Sequence, residues 1–365
     1  MGILPRVKTE ITKVLDGPLL ALILTLFAMS LGVLYSSSQG DVARVIVQAQ
    51  HFAFALVLMW VVARVPFEYL RRLALPLYLL ALVLLILTAV MGEESKGAQR
   101  WLDLKFLRIQ PSELMKIALP LMLAWYFDRY ERVRPITYFV SVLLLLVPVM
   151  LILRQPDLGT AILVFASGFF VLFFAGISIR IFVFIATIAV LVMPFAWGLL
   201  HAYQQKRILT LLNPSADPLG AGYHTIQSTI AIGSGGFWGK GWMDGTQSQL
   251  NFLPEGSTDF IFAVLGEEFG FVGVLLIFLV YAMLIWRGLN IAVQAPSLFA
   301  RLAAISITMT FFIYAFVNVG MVIGLLPIVG VPLPLMSFGG SSAVTMLLGI
   351  GLLMNFRSNR RLVQT

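Results

Sequence analysis

Ten stretches of this chain stay apolar long enough to cross a hydrocarbon layer as helices, at roughly 17 to 25 residues each. They fall near 18–35, 46–63, 73–91, 111–127, 136–153, 158–176, 181–200, 258–286, 302–323 and 338–356. Polar, glycine-rich or proline-rich segments separate them. The pattern predicts an all-α polytopic membrane protein: one transmembrane domain over 1–365 with a single large outer loop, about 201–257, between the seventh and eighth spans. Ahead of the first span, Ile3, Val7, Ile11 and Val14 share one helical face, which predicts a short interfacial helix. The first span is flanked by Arg6, Lys8 and Lys13, and Tyr35-Ser36-Ser37-Ser38 lacks a small-x-small cleavage pattern, so it is read as a retained anchor.

Two connecting segments carry patterns of their own. In the outer loop, Pro214, Pro218 and Gly220 break regular structure, 225–232 is apolar enough for a short helix lying on the bundle, and 233–241 is turn-rich with Phe237 and Trp238. Between the last two spans, GLLPIVGVPLPLMSFGGSS has no charge and three prolines. Apolar irregular backbone at a membrane edge is tolerated where it lines a cavity, and a groove for a lipid tail is one such cavity.

Composition agrees with the pattern, since 60% of residues are hydrophobic and 12% charged. An even number of spans puts both termini on one side. Of the 25 Lys and Arg, fifteen fall in the segments then called inner, nine in outer segments, and Lys116 within a span. That bias makes both termini cytoplasmic. The net charge of +8 therefore reports topology and contact with anionic membrane lipids, and carries no nucleic-acid signal. Zero cysteine means that packing, not disulfides, must hold the outer loop.

Four outer cations, Lys96, Arg100, Lys105 and Arg108, crowd into one loop where topology does not require them. A basic loop at the outer face, with Trp101 and Phe106 at headgroup level, suits a phosphate. The alternative is an ordinary loop neutralised by Glu93, Glu94 and Asp103. In QPSELMK, Pro111 suits a first helical turn and Glu113 lies where the helix dipole favours an anion. Lys116, three residues on, either pairs with Glu113 or shares a cavity with it. Asp157 opens the sixth span, where it is either a helix N-cap or a cavity residue.

Asp259 stands where the outer loop meets the eighth span. A carboxylate at a membrane edge is costly to desolvate and marks a functional site whose partner must be sought among Glu113, Lys116 and Asp157. On a wheel of 100° per residue, Ala263, Gly266, Gly270 and Gly273 fall within about 40° of Asp259, a small-residue stripe that brings another helix close to that face. Glu267 and Glu268 lie elsewhere on the wheel, and at least one is expected to pair with a basic residue on another span. GSGG is not a Walker sequence, so no nucleotide is expected. The scattered His51, His201 and His224 speak against zinc or redox chemistry, no Ser-His-Asp arrangement emerges, and no repeat relates the two halves.

Taken in order, KGAQRWLDL, QPSELMK, QPDLGTA, DPLGAGYHTIQSTIAIGSGG, FLPEGSTDFIFAVLGEEFG and PLPLMSFGGSS resemble the SEDS family (shape, elongation, division and sporulation) along nearly the whole chain. PLGAGYH, GTQSQ and GVPLPL are closer to its elongation branch than to its division branch. The resemblance implies a ten-span bundle in the bacterial cytoplasmic (inner) membrane. It implies a peptidoglycan glycosyltransferase that polymerises lipid II at the outer face during cell elongation, beside a class B penicillin-binding protein transpeptidase and other elongation-complex proteins. The family's essential acid matches Asp259, while Glu113, Lys116, Asp157, Lys96 and Arg100 fall on motifs that line or support the central cavity. Gly256-Ser257 before Thr258 and Phe338 before Gly339 depart from a strict consensus without touching the acid.

The implied chemistry fits these residues. Asp259 would take the proton of the acceptor hydroxyl as general base. Lys96, Arg100, Arg108 or a divalent cation, Mg or Mn, would stabilise the departing pyrophosphate. Two competing readings are a flippase for the lipid-linked precursor, which needs access from both faces and no proton acceptor, and a scaffold in which these charges are only structural.

Overall fold

The computed structural model describes residues 14–95, 98–103, 108–130, 134–181 and 221–359, with scattered positions between 183 and 213. Among them stand nine long helices: α1 (Gly17–Ser37), α2 (Val42–Arg64), α3 (Phe67–Met91), α4 (Pro111–Arg129), α5 (Pro135–Arg154), α6 (Leu158–Phe174), α9 (Ile261–Val293), α10 (Leu298–Val322) and α11 (Gly340–Ser358). Two short ones, α7 (Ala221–Gly235) and α8 (Thr246–Gln249), lie in the outer loop. Each long helix coincides with an expected span. The span expected at 181–200 lies, apart from scattered positions, outside the described residues, as does the interfacial helix before residue 14.

Six of the nine are long and apolar enough to cross a membrane, and the chain is a multi-pass membrane protein. Helix α4 is less apolar yet buried at nearly every position from Met115 to Ala124, because it runs through the middle of the bundle against α3, α6 and α10. Local signals set the helix starts. Asp16, Asp41, Asp157 and Ser297 accept backbone N–H bonds at the N-termini of α1, α2, α6 and α10, and Pro111 and Pro135 occupy the first turns of α4 and α5. Helices α2 and α11 pack so closely that a Cβ at Gly351 would lie 2.6 Å from the Met59 carbonyl oxygen.

A small antiparallel sheet of β1 (Glu93–Ser95), β2 (Ala98–Asp103) and β3 (Arg108–Ile109) forms the basic loop. Hydropathy gives no hint of it, because strands of two to six residues carry too little alternation to read.

The eighth span departs from its helical wheel in two ways. Its helix begins at Ile261, so Asp259 belongs to the preceding turn and not to the wheel. It also breaks at Gly270 (φ 60°, ψ −157°), so Gly273 is out of phase with Gly266. The small residues instead admit the outer loop: α7 packs on α9, with Ile232 against Gly266. At the break the loop supplies the missing hydrogen bonds. Phe271 N donates to Gly236 O (3.0 Å) and Val272 N to Phe237 O (3.2 Å), while Lys240 N and Gly241 N donate to the carbonyls of Glu267 (3.0 Å) and Glu268 (3.1 Å). Glu267 pairs with Lys240 at 2.8 Å, a residue of the loop and not of another span, and Glu268 accepts from the Ser36 hydroxyl of α1.

Candidate functional site

One end of the bundle encloses a polar cavity of about 270 Å³ walled by α4, α6, β2, the turn before α9 and the segment between α10 and α11. Five of the seven residues expected at the site line it: Asp259, Glu113, Lys116, Asp157 and Arg100. They come from four separate parts of the chain. Lys96 and the side chain of Arg108 lie outside the described residues.

Two ion pairs fix the α4 and α6 walls. Lys116 Nζ is 2.6 Å from Glu113 Oε1, one helical turn away, and its ammonium also meets the Tyr314 hydroxyl of α10. Lys116 is 5% exposed, so this ammonium could not remain charged in the bundle without such partners. Glu113 Oε2 is buried without a hydrogen-bond partner. On α6, Asp157 is both things its sequence context allowed. Its Oδ1 caps Thr160 N (3.1 Å), its Oδ2 accepts from the Thr160 hydroxyl (2.8 Å), and the Arg100 Nε lies 3.4 Å from Oδ2.

Asp259 sits half-buried in the 254–260 turn, held by the irregular segment that follows α10. Phe338 N donates to Ser257 O (2.9 Å) and the Ser337 hydroxyl to Thr258 O (2.6 Å), while the Asn318 amide of α10 donates to Asp259 O (2.8 Å) and Val331 O (2.7 Å). Gly330 has φ +71°, and a Cβ placed there would stand 3.5 Å from Asp259 Oδ2. The irregular segment is in turn tied to the bundle. Met336 O accepts from Ser30, Pro334 O from Tyr281 and Ser337 O from Gln48, whose own oxygen accepts from Gly339 N. Non-helical backbone persists here because side chains from four helices satisfy it.

Sequence reasoning missed Tyr314, Asn318, Gln48 and Glu255, the last lining the cavity with its carboxylate bonded to the Thr258 hydroxyl at 2.7 Å. A signal for two of them was present: Tyr314 and Asn318, four residues apart in FFIYAFVNVGMV, put polar groups on one face of an apolar span.

Beside the polar cavity runs an apolar groove of about 350 Å³, lined by residues of α6 and α10 such as Phe165, Phe169 and Phe316 and closed by Pro327 and Val329. Val329 adjoins Gly330 of the cavity wall, so groove and cavity share one boundary. Beneath Lys116 and Tyr314 lies a separate cavity of about 30 Å³. Arranged this way, the site offers a carboxylate, a guanidinium and an ammonium around a polar space that opens beside a lipid-facing groove.

A family model described as "Cell cycle protein" (FtsW/RodA/SpoVE) matches residues 15–362. Peptidoglycan glycosyltransferase MrdB of Escherichia coli (strain K12) is 46% identical over 362 residues, 98% of this chain and 98% of that protein. Stage V sporulation protein E of Bacillus subtilis (strain 168) is 35% identical over 362 residues, 94% of this chain and 98% of that protein. Among solved structures, a chain of a peptidoglycan synthase complex, described as coordinating polymerization and crosslinking, superposes with a TM-score of 0.83 at 36% identity, covering 95% of this chain and 98% of that one. The rod shape determining protein RodA of Thermus thermophilus superposes with a TM-score of 0.72 at 31% identity, covering 94% and 97%.

Proposed function

The chain belongs to the FtsW/RodA/SpoVE family, the SEDS proteins, and from that premise we infer how its cavity works. The protein is a peptidoglycan glycosyltransferase that polymerises lipid II into glycan strands. The observation that carries the mechanism is the convergence of Asp259, Arg100 and the Glu113–Lys116 pair on one polar cavity beside an apolar groove.

The reaction joins two lipid-linked disaccharides. The acceptor 4-hydroxyl oxygen attacks the donor anomeric carbon, the bond from that carbon to the phosphate oxygen breaks, and undecaprenyl pyrophosphate leaves with the bonding electrons. Asp259 takes the hydroxyl proton, which makes the oxygen nucleophilic as the new bond forms, with inversion at the anomeric centre. Arg100, held by Asp157, faces the cavity from β2 and offsets the charge developing on the leaving group, with Lys96 and Arg108 of the same loop as further cations. A divalent cation is the other candidate for that role. Among the described residues no group of three His, Asp or Glu side chains stands ready to hold one, so the steps here run through the side chains present. The groove on α6 and α10 takes a polyprenyl tail, which leaves the sugar and phosphates in the cavity.

In this reading the cavity opens on the outer face of the cytoplasmic membrane, both termini are cytoplasmic, and a class B penicillin-binding protein crosslinks the product beside it. Elongation-complex proteins complete the assembly. A flippase would need a polar path to the other face. Among the described residues Lys116, bonded to Tyr314, lines the inner end of the cavity, and the small cavity of about 30 Å³ beyond it is mostly apolar in its lining. The deciding experiment is glycan-chain formation from purified lipid II by the protein with its cognate transpeptidase, wild type against Asp259→Asn at matched folding and partner binding. Loss of polymer in the variant alone supports Asp259 as the base. Equal polymer from both removes it.

A further inference from the structure

Asn318 is out of place in α10. It is fully buried in a membrane-spanning helix, where a primary amide is costly unless its hydrogen bonds are made. Its Nδ2 donates at once to the carbonyl oxygens of Asp259 (2.8 Å) and Val331 (2.7 Å). Two carbonyl acceptors fix which end of the amide faces them, because a carbonyl cannot donate to an oxygen. Oδ1 is left without a partner.

The choice of carbonyls carries the argument. Asp259 and Val331 both line the polar cavity, and neither lies in a helix whose ladder would hold it. Asp259 is in the turn before α9, and Val331 is in the irregular segment before α11. Ser337 and Phe338 tie the neighbouring carbonyls of Thr258 and Ser257, and Asn318 ties the carbonyl of Asp259 itself. Gly330, next to Val331, is the residue that stands over the Asp259 carboxylate. One amide thus sets the spacing between the base and the wall that faces it, from a position outside the cavity lining.

We propose that Asn318 is a positioning residue for polymerisation: by donating to both carbonyls it holds the Asp259 carboxylate in register with the Val331 wall. This rests on Asp259 being the general base. Displacing a reacting group by about 1 Å costs roughly 100-fold in rate, so losing the strut should lower turnover at saturating lipid II by roughly 10- to 100-fold and leave KM for lipid II unchanged.

The test is a substitution series in the complex with its transpeptidase, reading turnover, KM and partner binding. Asn318→Asp keeps the shape but cannot donate to both carbonyls, since a carboxylate has no donor and a buried carboxylic acid has one, Asn318→Leu removes the donor, and Asn318→Gln keeps an amide one methylene longer. A donor role predicts low turnover for Asn318→Asp and Asn318→Leu at wild-type KM, with partial recovery in Asn318→Gln. A packing role follows shape, so wild-type turnover in Asn318→Asp would overturn the proposal, as would a raised KM with unchanged turnover. Should Asn318→Leu fail to fold, the Asp and Gln variants decide. Wild type and Asp259→Asn run alongside separate the two levels. Equal polymer from those two defeats the assignment of the base, whereas loss in Asp259→Asn with normal turnover in Asn318→Asp defeats only the strut.

Discussion

The bundle buries charge at both ends and treats it differently. At the end away from the cavity, Asp16 is fully buried and saturated: its carboxylate accepts from Leu19 N, from Arg287 Nη2 at 2.8 Å and Nε, and lies 3.0 Å from Arg357 Nη1. This one carboxylate joins α1, α9 and α11. Close by, the Asn355 amide donates to the carbonyls of Val62, Ala63 and Val65. At the cavity end, the pairs Glu113–Lys116 and Asp157–Arg100 line the polar space, and Glu113 Oε2 is buried without a hydrogen-bond partner. Saturated charge fastens helices. Charge that lines a cavity is placed where a ligand can engage it, and the contrast supports the proposal that puts the chemistry at the cavity end.

The sharpest way to test that contrast is Asp259→Asn, expected to lower glycan polymerisation by roughly 100-fold or more, the range of general base catalysis, with no change in thermal unfolding of the purified complex. Next comes Lys116→Met, which leaves Glu113 buried without its cation. Breaking a buried pair on one side costs roughly 3 kcal/mol, so both the unfolding temperature and the polymerisation rate should fall. Asp16→Asn should behave in the opposite sense to Asp259→Asn. It lowers thermal stability by about 1–3 kcal/mol, discounted because Arg287 and Arg357 are partly exposed, and leaves turnover per folded molecule unchanged. If Asp16→Asn abolished polymerisation in folded protein, the division of labour between the ends would be wrong. The smallest effect is expected from Gly330→Ala, which forces an L-residue to φ +71° at a cost of about 1 kcal/mol and brings a methyl within 3.5 Å of Asp259 Oδ2. Its signature is a modest loss of turnover with nearly unchanged unfolding.

Much of this was legible along the chain. Spans are visible because twenty apolar residues in a row admit few other fates, and starts such as those of α4 and α6 are visible because Pro111 and Asp157 act within one helical turn. The Glu113–Lys116 pair was legible for the same reason, lying on adjacent turns of one helix. The wheel drawn through Asp259 failed because it assumed an unbroken helix. Whether a glycine such as Gly270 continues a helix or breaks it depends on what stands ready to take its hydrogen bonds, here the 236–241 loop. The partner of Glu267 is hidden from the sequence for the same reason, since Lys240 is brought to it by the loop that packs into that break.

Hydropathy and capping act over a few residues, so the order of residues is enough to show that the chain spans a membrane, where most helices begin and end, and which acids and bases are costly to leave idle. Which of those groups meet depends on the packing of the helices. Arg100 finds Asp157, Lys116 finds Tyr314 and Asn318 finds Asp259 across 57, 198 and 59 positions of chain. Contacts at such separations follow from how helices pack in three dimensions, and no local pattern of residues encodes them.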